Sequence, residues 1–136
     1  MIQNEKQYKI SKNRLAEMNE IIRKKSSKAQ PGSKEEAAVN SILLIRDRIK
    51  SEVKTYEQLK NSRTLLKKPV SLVQLPQLLI QHKIAKGLTQ KEFSAILGIK
   101  EQQLQRYEAE QYASVSFKRL LSFIEKTKLD ISVTIK

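Results

Sequence analysis

The chain has 136 residues, with 27 Lys and Arg against 14 Asp and Glu, a formal net charge of +13, no cysteine and a single histidine, His82. Without cysteine there is no disulfide framework, thiol nucleophile or cysteine-ligated metal site, and one histidine argues against a histidine-based metal site or a catalytic triad. The longest apolar run, Ile42-Leu43-Leu44-Ile45, is four residues, against the roughly 20 that cross a bilayer.

The N-terminal stretch MIQNEKQYKISK lacks the apolar core of a signal peptide, so a cytoplasmic location is expected. The excess of positive charge points to a polyanion, nucleic acid first. A membrane surface is the weaker rival, because no stretch sets bulky aromatics opposite a Lys/Arg face.

In chain order, residues 1–10 read as an irregular or briefly extended arm. Leu15, Met18 and Ile22 then recur at spacings of three and four, which predicts an amphipathic helix over 11–29 with Ser11 as its N-cap. Pro31-Gly32 marks a turn, and Ser33 with Glu36 matches a capping box. Ala38, Ile42, Ile45, Ile49, Val53, Tyr56 and Leu59 continue the helical step. They predict one helix over 34–65, roughly 45 Å long at 1.5 Å per residue. Two helices joined by a tight turn form an antiparallel hairpin, the N-terminal region 1–68. The basic run through Lys67-Lys68 reads as a solvated linker.

Residues 69–129 read as several short helices, with Pro76 placed to start one. His82 reads as a surface or half-buried helix residue. The tail 130–136 alternates Ile131, Val133 and Ile135 with polar residues, a strand pattern. A lone strand cannot satisfy its backbone groups, so these three residues are the expected dimerisation element.

The informative stretch is 76–108. Gly87 can close a helix in the left-handed conformation, Leu88 returns to the core, and Thr89 with Glu92 forms a second capping box. A short helix follows over 90–97, with Phe93, Ile96 and Leu97 inward and the small Ser94 where another helix must come close. Gly98 permits a tight turn and Ile99 plugs the core. A second short helix over 100–108 turns Leu104 and Tyr107 inward. Two short helices joined by a glycine turn describe a helix-turn-helix.

On Gly87-Leu88-Thr89-Gln90, Phe93, Leu97-Gly98-Ile99, Leu104 and Glu108, residues 75–127 resemble the lambda-repressor-like, Xre-type helix-turn-helix family. Two departures are visible. Ser94 stands where the family usually has Ala, and Ala109-Glu110-Gln111-Tyr112-Ala113 replaces a Gly or Asn-Gly after the second helix. The implied fold is all-α: a helical hairpin, then a lambda-repressor-like bundle, then a short C-terminal β-strand.

The resemblance implies that the second short helix enters the major groove of double-stranded DNA. Lys100, Glu101, Gln102, Gln103, Gln105 and Arg106 are then the base-contacting candidates. Gln bonds bidentately to adenine, Arg to guanine, and Glu accepts from cytosine. Lys86, Thr89, Gln90 and Lys91 are the phosphate-contacting candidates, Gln90 by family likeness and by its place at a helix start.

The expected protein is a sequence-specific transcriptional regulator, a repressor acting as a homodimer with recognition helices about 34 Å apart. It is no enzyme, since no nucleophile–base pair or carboxylate cluster stands out, and no cofactor or metal is expected. The alternative is an antitoxin that binds DNA with 69–129 and its toxin with 1–66. Against it, residues 1–70 hold 17 basic and 8 acidic residues, whereas toxin-gripping segments are often acidic. A third reading is an adaptor for an acidic protein.

Overall fold

The computed structural model describes residues 1–62 and 69–136. Six α-helices account for most of them: α1 (Glu5–Ser26), α2 (Lys34–Ser62), α3 (Leu75–Ala85), α4 (Gln90–Leu97), α5 (Glu101–Ala109) and α6 (Phe117–Thr127). A single 3-10 turn, Leu72–Gln74, precedes α3. The end of the predicted long helix (63–65) and the Lys67-Lys68 run lie outside the described residues. The chain divides into two compact units, Met1–Gln58 and Leu59–Lys136.

In the first unit, α1 begins at Glu5, so residues 5–10 are helical and not an extended arm. The cap is Asn4, in extended conformation, whose side chain accepts from the Gln7 N–H at 2.9 Å. Gln7 returns the bond by accepting from the Gln3 N–H at 2.8 Å. Ser11, the expected cap, lies inside the helix. Asparagine and serine cap equally well, so the earlier candidate prevails once its partner Gln7 is in place. The helix also stops short of 29. Ser26 and Ser27 turn their hydroxyls back onto the carbonyls of Ile22 and Lys24, an alternative to continuing the helical ladder.

α1 and α2 run antiparallel: Tyr8 stacks on Tyr56 with ring centroids 4.9 Å apart, and Arg46 reaches Asn19. Val39, Val53 and Tyr56 are buried on α2, with Ile2 from the N-terminus. Ile45, expected inward, is half outside at 49% exposed, and Ala38 is exposed while its neighbour Val39 is buried. Tyr8 donates to Glu57 at 2.6 Å and Tyr56 to Glu5 at 3.2 Å. Burial first, and then the charge of Glu5, pushes the Tyr56 hydroxyl up to about 12.

The second unit is built on Leu79, Ile80, Phe93, Leu97, Leu104 and Phe123, each 2% exposed or less. Pro76 occupies the first turn of α3, where its missing N–H costs nothing. Ile96 is 41% exposed, a correction to the reading that turned it inward. At 100° per residue, Phe93, Ser94 and Leu97 share one arc. Ser94 is buried on the far side of that arc from Ile96.

The C-terminal strand is absent. Residues 130–136 form no strand, and no strand occurs among the described residues. Ile131 is half-buried, while Val133 and Ile135 are 66% and 94% exposed. Alternation marks a chain able to join a sheet, but a strand exists only through its ladder, and no strand to pair with occurs among the described residues.

Candidate nucleic-acid interface

The α4–turn–α5 element is tied down at each joint. Thr89 caps α4: its Oγ1 accepts from the Glu92 N–H at 3.1 Å, and the Thr89 N–H donates to Glu92 at 2.8 Å. Gly98 closes α4 at φ +72, a conformation that a side chain resists. Ile99 N–H donates to the Ser94 carbonyl at 3.0 Å, and the Lys126 ammonium donates to the Leu97 carbonyl at 3.2 Å. Ser94 is small enough to be buried here and spends its hydroxyl on the Lys91 carbonyl.

Leu104, Tyr107 and Glu108 are the buried side of α5. Helical geometry then sets Gln102, Gln105 and Arg106 on the opposite side, and all three are exposed. Lys100 and Glu101 are exposed at its start. Gln103 differs: it is half-buried and donates to the Tyr107 hydroxyl at 2.9 Å. No carboxylate lies within ion-pair distance of Arg106 among the described residues. Its guanidinium sits 5.7 Å from the Tyr107 ring centroid. Glu110, a potential partner for it, accepts instead from the Ser114 hydroxyl at 2.6 Å.

Of the four phosphate candidates, Lys86, Thr89 and Lys91 are exposed and Gln90 is half-buried. The Gln90 side chain donates to Glu108 at 3.0 Å. Its amide nitrogen is thus engaged inside the unit, and what it offers outward is the backbone N–H of the first residue of α4.

Glu108 is the hub that sequence reasoning missed as such. It is fully buried and takes the Lys83 ammonium at 2.6 and 2.8 Å. This ion pair joins α3 to α5, and Gln90 adds α4. Burial pulls Lys83 below the usual lysine range, and the charge of Glu108 opposes that pull. The signal was present: Glu108 lies four residues after Leu104, on the inward face, and Lys83 sits inside an otherwise apolar stretch of α3.

The loop after α5 holds two successive non-glycine residues in the left-handed region, Gln111 at φ 51 and Tyr112 at φ 59. Each costs about 1–2 kcal/mol. Burial of the Tyr112 ring, 6.2 Å from Tyr107 and 6.5 Å from Phe123, offsets that cost. Its hydroxyl has no hydrogen-bond partner among the described residues, and burial, with Glu108 nearby, pushes it far above the usual tyrosine range.

A helix-turn-helix family model matches residues 80–133. Residues 80–133 are thus similar to the helix-turn-helix family, in line with the resemblance expected for residues 75–127. Comparison with curated proteins and with solved structures returned no match. The helix-turn-helix domain supports DNA binding and transcription regulation. No helix among the described residues is long and apolar enough to cross a membrane.

Proposed function

We propose that the protein is a sequence-specific double-stranded DNA-binding regulator, a repressor acting as a dimer. One observation carries this reading. The helix-turn-helix domain presents Gln102, Gln105 and Arg106 together on a helix whose opposite side is locked to α3 and α4 through Glu108. Side chains that read base edges work only from a fixed helix. Lys86, Lys91 and Lys100 supply cations, and the α4 start supplies a phosphate-facing N–H.

Dimerisation is supported by apolar side chains left outside the second unit. Phe117 and Leu121, four residues apart on α6, are 70% and 45% exposed, and Val133 and Ile135 are exposed as well. The test is selection of bound duplexes from a random pool, followed by sedimentation of the free chain. A shared, two-fold related sequence bound by a dimer supports the reading. A pool that stays random overturns it.

A further inference from the structure

Residues 21–34 contain Arg23, Lys24, Lys25, Lys28 and Lys34 and no acidic residue. Four of these lysines, with Glu35 and Ala38, line one open cavity of about 400 Å³ at the closed end of the α1–α2 hairpin. Glu35 sets one carboxylate against four lysines on this wall, so the lining keeps a net positive charge. Glu20 holds Arg23 at 2.6 Å and Lys24 at 3.8 Å, and Glu36 accepts from the Gly32 N–H. Among the described residues no carboxylate comes within ion-pair distance of Lys25, Lys28 or Lys34.

Part of this charge has a local explanation. Lys24 and Lys25 lie in the last turn of α1, where the helix end is partially negative. Lys34 has no such reason. It is the first residue of α2, where the helix end is partially positive and only Glu35 and Glu36 of the same turn offset it, and it lines the cavity with three other lysines. Cations gathered against that gradient repel one another, and a multivalent anion in the cavity reverses the balance. The opposite end of the same hairpin is different in kind. There Glu52 meets the N-terminal amine at 3.7 Å, and Glu57 meets Lys12 at 3.7 Å.

We propose that the lysine-lined cavity at the hairpin tip is a binding site for clustered phosphates, separate from the helix-turn-helix. Two sources share that chemistry, a free polyphosphate and a nucleic-acid backbone. The proposal does not depend on sequence recognition by residues 80–133.

The test compares the full chain with two triple variants of equal charge. One removes the tip lysines (Lys25→Gln, Lys28→Gln, Lys34→Gln). The other removes Lys9, Lys50 and Lys54, exposed lysines of the same unit, also as Gln. Circular dichroism checks that helix content is kept. Inorganic tripolyphosphate, followed by calorimetry, and a short duplex of random sequence, followed by anisotropy across a salt series, are the probes. The tip variant should weaken one probe about tenfold while the control variant stays near the parent. Loss of tripolyphosphate binding alone assigns the site to a free polyphosphate. A salt slope on duplex that falls by about one per lysine lost, in the tip variant only, assigns it to backbone phosphates. Equal effects of the two variants, or none in either, overturn the site.

Discussion

The 22 residues of α1 bury no side chain, whereas the 11 residues of α3 bury seven, including a lysine and a histidine. Both helices are regular, so regularity says little about what holds them. α1 rests on its Asn4 cap, on one line of half-buried contacts such as Leu15, Met18 and Ile22, and on the polar end cluster around Tyr8 and Tyr56. α3 is fixed by a core and by an internal ion pair. Two helices alone offer little depth for burial. A bundle of four closes around its apolar residues. The contrast predicts a first unit sensitive to its ends and a second sensitive to its centre.

The largest expected effect is in that centre. Glu108→Ala removes the carboxylate that the buried Lys83 ammonium pairs with and should destabilise the second unit by about 3–5 kcal/mol in urea unfolding. Replacing both members, Lys83→Met with Glu108→Leu, should recover most of that loss. A cost below about 1 kcal/mol for Glu108→Ala would mean that water reaches the pair. Next, Leu104→Ala should cost about 2–5 kcal/mol, and Leu15→Ala on α1 about 1 kcal/mol or less. Equal costs would erase the contrast and show that α1 is covered by a partner in solution.

Binding sharpens the comparison within the second unit. Arg106→Ala should cost about 1–3 kcal/mol on a selected duplex and little on random DNA. Gln90→Ala should weaken both more evenly, and it also removes a hydrogen bond from Glu108, so stability should fall with it. If Arg106→Ala weakens both duplexes alike, its role is electrostatic, and base reading passes to Gln102 and Gln105.

The smallest effect is a pH response confined to the second unit, which holds the single histidine. Burial first, and then the charge of Lys86, lowers the affinity of His82 for a proton, while the Thr127 backbone opposes this. The unfolded chain therefore takes up a proton at a pH where the folded chain does not. Stability is full above the ordinary histidine value of 6.5. It falls as pH drops through that value towards the lower folded one. Urea unfolding at two pH values on either side of 6.5 should show the loss, and His82→Gln should flatten it.

The helix-turn-helix was legible because its joints are local. Gly87, Thr89 with Glu92, and Gly98 act within a few residues of themselves, and each does so in the structure. The start of α1 was misplaced because Asn4 and Ser11 are equivalent caps on local grounds. The Lys83–Glu108 pair joins residues 25 apart, and neither position alone announces the other. The tail failed for a different reason: its alternation is real, but a strand there depends on an extended neighbour, and none occurs among the described residues. Gln90 was assigned outward by likeness to a family, and no spacing rule could reveal that its amide is held by Glu108.

The paired left-handed residues Gln111 and Tyr112 also bear on how this loop tolerates changes in chain length. A ring buried between Tyr107 and Phe123 sets the count of residues from the end of α5. One residue added or removed between Ala109 and Ser114 would carry Tyr112 out of its slot and place another side chain in the left-handed position. Surface loops usually absorb insertions. This one behaves as part of the core, so length variation among natural or engineered versions of the chain should avoid it.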